Sequence, residues 1–408
     1  MKQFFFVIIT YIFLFSPIFP WFSTMGSVKF LYILFPLLFV PVYYKDIKKI
    51  RYLIWANIAS LLYVIIVSNL SPSTGSKIVT NSVVIFVEDI FLAYIMVKLH
   101  LRNGVRIQKT LFWCLIIASV SAVMCMIFPP IKTFVNNFLS IPLKVNDVLF
   151  IHRGFGICSE YNYSYGFIMA FLFVFLYYWG YHKRWLTILL PIVSLAILIN
   201  ARVGMTIIMW GIIFLLITKK RESISLVAVL ILFIASMFGA MFMGSVQGET
   251  VDFVQQFFYT LSDIFMGTSY RSSNEEIGDA IISGYSLPFR TLQDWVFGMG
   301  LDYGGGFVYM TSYYTDNGFV RELAFGGITY LTLLLFNIII PLFTVKESQK
   351  RYFIIFLLVS AVILNIKGPF LMGALGSKAF MFMLIFFMLT DNGIKTQRIK
   401  ILEIKKLQ

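Results

Sequence analysis

The chain has 408 residues, of which 59% are apolar and 13% charged, and its formal net charge is +14. A soluble domain carries about 25% charged residues, and one core cannot bury this much apolar surface. A soluble enzyme, a disordered tail protein and a disulfide scaffold are therefore excluded, which leaves a polytopic all-α membrane protein whose positive charge reflects either an anionic partner or topology.

A bilayer-spanning helix needs about 20 mostly apolar residues, because lipid offers the backbone no hydrogen-bond partner. Twelve runs qualify: 4–22, 28–44, 52–70, 79–99, 110–128, 163–181, 185–199, 203–218, 224–244, 323–343, 352–366 and 370–390. The first has a single Lys before it and no small-residue cleavage site, so it reads as a retained helix. Together they form one transmembrane domain over residues 1–408, with a basic tail at 391–408.

The loops alternate in charge. One side collects 22 Lys and Arg against five acids, and the other ten against twelve. By the positive-inside rule the basic side is cytoplasmic and holds both termini. The +14 is thus a topology signal, and nothing in it asks for nucleic acid. Cys114 and Cys125 fall within span five and Cys158 alone is external, which predicts no intrachain disulfide.

Two external loops are long, 129–162 and 245–322, and the second lies between spans nine and ten. Loops beyond about 15 residues are usually functional or disordered. Within 245–322, Val251, Val254, Phe257, Phe258, Leu261, Ile264 and Phe265 recur at helical spacing and predict a helix lying on the outer membrane face. A second short helix is expected after Pro288, with Arg290 near its N-terminal end and Trp295 on its apolar face. The loop reads either as a lid over an external site or as an insertion packed on the bundle. Gly298-x-Gly300 follows no strand and makes no nucleotide fingerprint. Spans seven and eight form a hairpin whose polar tip is Asn200-Ala-Arg202-Val-Gly204. An Arg below the interface must face a polar cavity or an acid, or else snorkel outward.

The external cations differ in type from the cytoplasmic ones. Inside, Lys outnumbers Arg 15 to 7; outside there are five of each. The external arginines lie in or beside the long loops or at the hairpin tip. Guanidinium forks suit phosphate and pyrophosphate. Arg153, Glu160 and Asn162 lead into span six, where Glu160 is either a general base for a sugar hydroxyl or a residue flanking the helix start. Asp316 and Arg321 lead into span ten, where they form a second acid–cation pair, or Asp316 caps the helix and Arg321 pairs locally with Glu322. Glu88 and Asp89 in span four, and Lys378 in span twelve, are either ion carriers or structural partners. Glu88 and Asp89, being adjacent, point about 100° apart on a helix and cannot use one partner equally. Of three His, only His152 is external, and no metal motif or P-loop is present, so neither a metal nor a nucleotide cofactor is expected.

This layout and three local segments resemble the bacterial O-antigen polymerases of the Wzy type, within the O-antigen ligase/polymerase superfamily. The segments are Arg153-Gly-Phe-Gly with Glu160-x-Asn162; Asn200-Ala-Arg202-Val-Gly204; and Gly298-x-Gly300 followed by Asp316-Asn-Gly-Phe and Gly326-Gly327-Ile328. The resemblance implies a glycosyltransferase of the bacterial inner membrane that needs no cofactor. It transfers a growing glycan from undecaprenyl pyrophosphate to an incoming lipid-linked repeat unit at the outer leaflet, and a chain-length regulator and a flippase are its expected partners. Arg153, Arg202, Arg290, Arg321 and Asn162 would hold the pyrophosphate and glycan, and Glu160 or Asp316 would take the acceptor proton. The sister ligases use a His in the large external loop, and residues 245–322 contain none. An arginine-x10-glycine pattern of some polymerases is also missing, since Arg290 and Gly300 enclose nine residues. The rival reading is transport, as a flippase of lipid-linked oligosaccharide with Glu88, Asp89 and Lys378 on an ion path. Against it stand the lack of internal repeats and the asymmetry of the two long loops.

Overall fold

The structure is a computed structural model that describes residues 2–17, 46–70, 79, 82–83, 86–139, 156–158, 164–200, 202–219, 223–246, 291–300, 318–368, 370–371 and 377–391. In chain order its helices are α1 (Lys2–Phe15), α2 (Arg51–Leu70), a π-helical stretch (Phe86–Leu92) that continues as α3 (Ala93–Arg102), α4 (Ile107–Ile127), α5 (Pro129–Phe138), α6 (Ser164–Tyr178), α7 (Lys183–Asn200), α8 (Arg202–Lys219), α9 (Ile224–Val246), α10 (Leu292–Phe297), α11 (Gly318–Thr344), α12 (Ser348–Lys367) and α13 (Ser377–Thr390). The described residues contain no strand. Among the described residues, five helices are long and apolar enough to cross a membrane: Lys48–Asn69, Ile107–Ile127, Lys183–Asn200, Gly318–Thr344 and Ser348–Ile366. The protein is an all-α membrane protein. Span 28–44 and the helix expected at 251–265 lie outside the described residues; these five helices match the expected spans 52–70, 110–128, 185–199, 323–343 and 352–366, and the other expected spans overlap shorter helices or α9 in their described parts.

The chain divides into two compact units, Met1–Met25 with Val105–Ile282, and Gly26–Gly104 with Ser283–Gln408. Each is organised round a helix that is apolar on every side. In the first unit all residues of α6 are buried. In the second, α13 is buried from Ser377 to Leu389. A helix with no polar face is stable only when wrapped by other helices or lipid. Because lipid is as apolar as Leu, helix association in a membrane depends on close packing by small residues. On α8, a Cβ at Gly204 would stand 2.9 Å from the Gly166 carbonyl carbon, and one at Gly211 would stand 2.3 Å from Val174. The outer faces remain apolar and exposed, as at Trp55 and Ile66 on α2 and Ile355 and Ile366 on α12.

In the second unit, segments assigned to the cytoplasmic side gather at one end. Lys98 pairs with Asp46. Lys49 donates to the Leu389 carbonyl at 3.0 Å, and Lys350 to that of Thr390 at 2.8 Å. The Asp391 carboxylate accepts from the backbone N–H of Lys346 and of Glu347.

Three local expectations differ from the structure. The arms of the α7–α8 hairpin are 18 residues each, about 27 Å at 1.5 Å per residue, and so are longer than runs 185–199 and 203–218 implied. The loop 129–162 contains a helix, α5, begun by Pro129 and Pro130, whose fixed φ suits a first turn. Its Val135 packs with Cys125 and Ile157, while Phe134 and Phe138 stack at 6.0 Å on the exposed side. The helix expected after Pro288 is only six residues long. Thr291 caps it reciprocally with Asp294, so Arg290 precedes the helix, and Trp295 is substantially exposed.

Candidate functional site

Two polar constructions stand out in the second unit. The first is a break in α11. Gly327 has φ 64° and ψ −167° inside an otherwise helical run, a conformation essentially restricted to glycine. The break frees backbone groups that must find other partners. The segment after α10 supplies them. The N–H of Met299 donates to the Ala324 carbonyl at 2.8 Å, and that of Gly300 to the Phe325 carbonyl at 2.9 Å. Tyr63 on α2 donates to the Gly326 carbonyl at 2.8 Å and lies 3.2 Å from that of Phe297, while Thr329 donates to the Val296 carbonyl at 2.7 Å. The glycine stretches around Gly298 and around Gly326-Gly327 are thus one structure. Tyr63→Phe should cost about 1 kcal/mol and loosen the segment 291–300, to be read by thermal unfolding and by protease cleavage within that segment.

Before the break, Arg321 is half-buried in the first turns of α11 and Glu322 is fully buried. The Glu322 carboxylate accepts from Asn365 of α12 at 2.8 Å, and the Asn365 carbonyl oxygen accepts from the Leu371 N–H at 3.0 Å. The helix start packs on the same place: a Cβ at Gly318 would meet Asn365 Oδ1 at 2.6 Å.

The second construction is a buried ion cluster. Lys378 Nζ lies 2.8 Å from Glu88 Oε2, and Ser377 donates to Asp89. The adjacent acids of the π-helical stretch are met by two adjacent residues of α13, which resolves the 100° divergence that a single partner could not satisfy. Asp89 borders a small cleft of about 60 Å³, with Asn57, Ser60, Ser82, Asn337 and Ser377 on its wall.

In the first unit, the described part of the segment before α6 is pinned between helices. The Ile157 N–H donates to Ser121 at 3.3 Å, Tyr11 donates to the Ile157 carbonyl at 3.0 Å, and Cys158, which is buried, donates to the Phe15 carbonyl at 3.0 Å. Nearby, burial holds the Lys132 ammonium below its ordinary range, with Cys125 opposing the shift. Asn200 at the hairpin tip is buried and donates to the Ala196 carbonyl at 2.8 Å.

Of the expected site residues, Arg153, Glu160, Asn162, Arg290 and Asp316 lie outside the described residues. Arg202 begins α8, whose backbone alone is described there, and Arg321 belongs to the half-buried start of α11. The roles of Tyr63, Asn337 and Asn365 were not foreseen. The signal available was a polar side chain inside an apolar span, which needs a partner wherever it is buried. Comparison with family models, with curated proteins and with solved structures gives no match.

Proposed function

We propose that this chain polymerises lipid-linked oligosaccharide repeat units as a Wzy-type polymerase. In this reading it has twelve spans and both termini in the cytoplasm. It moves the growing glycan from undecaprenyl pyrophosphate onto the incoming unit at the outer leaflet of a bacterial inner membrane. The observation that carries the reading is the broken start of α11, sealed by the end of the large external loop at Gly298–Gly300. Irregular backbone at membrane depth is tolerated where it is buried in protein or borders a polar cavity, and a polymerase needs such a place for a pyrophosphate and two sugars. Arg153, Arg202, Arg290, Arg321 and Asn162 hold the lipid-linked substrates, stabilising the departing pyrophosphate. Glu160 or Asp316 takes the acceptor proton. The gathering of Lys49, Lys98, Lys350 and Asp391 at one end of the second unit supports the orientation. The donor is already activated, so the reaction draws on no cofactor.

A second reading, a flippase of the same lipid-linked unit, is favoured by the buried Glu88–Lys378 pair and the discontinuous α11, both of which occur in transporters. Deleting the gene separates the readings on a glycan gel. Single-repeat product without a ladder supports the polymerase, loss of the single-repeat band supports the flippase, and polymer held on the lipid carrier indicates a ligase. Arg202→Ala, Arg290→Ala and Glu160→Gln, expressed at the normal level, should each reduce the ladder by about 10²-fold or more. Normal ladders from all three would remove this site assignment.

A further inference from the structure

In the cleft beside Asp89 the hydroxyl protons of Ser377 and Ser60 are already committed. Ser377 spends its single hydroxyl proton on Asp89, and Ser60 spends its own on the Ala56 carbonyl at 3.1 Å. With its proton so used, Ser60 Oγ can only accept from Asn337, which fixes the Asn337 amide with Nδ2 toward Ser60 at 3.0 Å. The Asn337 carbonyl oxygen is left buried, with no hydrogen bond among the described residues, although Asn337 is only 4% exposed. Asn57 likewise donates Nδ2 to the Leu53 carbonyl at 2.9 Å.

Charge points the same way. Glu88 and Lys378 are paired at 2.8 Å, so an ionised Asp89 adds a buried negative charge that this pair does not balance. An uncompensated buried carboxylate is costly. A single positive charge surrounded by neutral oxygens relieves both the carboxylate and the orphaned carbonyl.

We propose that the cleft bounded by Asp89, Asn337, Ser60 and Ser377 binds a monovalent metal cation, for which sodium is the probe. A hard cation takes several oxygen ligands, and Ser60, Asn57, Ser82 and Asn337 share the cleft wall with the Asp89 carboxylate. A proton would need only Asp89 and would leave the Asn337 oxygen unsatisfied. A divalent ion would leave a buried excess of positive charge. The site lies within one unit of the fold and stands whether the chain is a polymerase or a flippase.

The test is retention of ²²Na⁺ by the purified full-length protein in detergent, together with thermal unfolding at fixed ionic strength in sodium chloride or choline chloride. Saturable retention of about one ion per chain is expected, with a sodium-dependent rise in Tm that choline does not reproduce. Asp89→Asn should abolish retention. Asn337→Leu, which keeps the side-chain volume, should weaken it about tenfold and serves as the test if Asp89→Asn does not fold. Background retention by folded wild-type protein would overturn the proposal, as would wild-type retention in folded Asp89→Asn or Asn337→Leu. Stabilisation by acid alone, with no response to sodium, would assign the cleft a proton and overturn it equally.

Discussion

Lys378→Met should destabilise the protein by about 3–5 kcal/mol, because it strands Glu88 in a buried position. The pair is 2.8 Å apart, and its side chains keep only 5% and 9% of their exposure. Methionine fills the space of the lysine stem but offers no charge, so Glu88 must either remain ionised at high cost or take up a proton. Glu88→Gln in the same background removes the stranded charge and should restore most of the loss, since replacing both members of a buried ion pair is often close to neutral. Thermal unfolding of the single and double variants in detergent measures the coupling. Equal stability of Lys378→Met and the parent would mean that the pair holds nothing together, and its value would then have to lie in ion movement.

Alanine at Gly327 or Gly298 should be nearly as damaging, and for a different reason. Gly327 has φ 64° and ψ −167°, and Gly298 has φ 74° and ψ −178°. Backbone of this kind costs an alanine about 1–3 kcal/mol. The clash adds to it: a Cβ on Gly327 would stand 2.5 Å from the Val296 carbonyl and 2.6 Å from the Gly298 nitrogen, and one on Gly298 would stand 2.5 Å from the Gly326 and Gly327 nitrogens. These neighbours are backbone and cannot rotate away. The segment 291–300 must then leave the break, taking with it the bonds that seal the Ala324 and Phe325 carbonyls. Both glycines serve one contact, so the double variant should cost much less than the two single losses together. Unfolding measurements on the three variants, with protease cleavage within 291–300, test this. Simple additivity would show that the two glycines act separately. In the polymerase reading each single variant also loses its glycan ladder.

Much of the fold was legible in the chain. Apolar runs of membrane length marked α2, α4, α7, α11 and α12 because a spanning helix must satisfy its backbone internally and shed polar side chains. The short capped helix before Gly298 was foreseen from Pro288 and Trp295, though Thr291 and Asp294 cut it to six residues. The candidate site was legible only as residue types. Gly298 and Gly327 were visible as glycine pairs, but periodicity cannot show that one stacks on the other. Tyr63 lies more than 260 residues from the carbonyl it seals.

Composition by itself determined that this is an all-α membrane chain, and the alternating charge of its loops is the basis on which the +14 reads as an orientation signal. Those properties are sums and local patterns, which a linear chain carries whole. Tertiary structure alone decided that Glu88 pairs with Lys378 while Asp89 pairs with Ser377, that Asn337 turns its oxygen away from Ser60, and that the first and middle helices form one unit while the chain's early and late helices form another. The physical reason is range. A buried charge declares in the sequence that it needs a partner, but which partner it finds depends on contacts hundreds of residues apart.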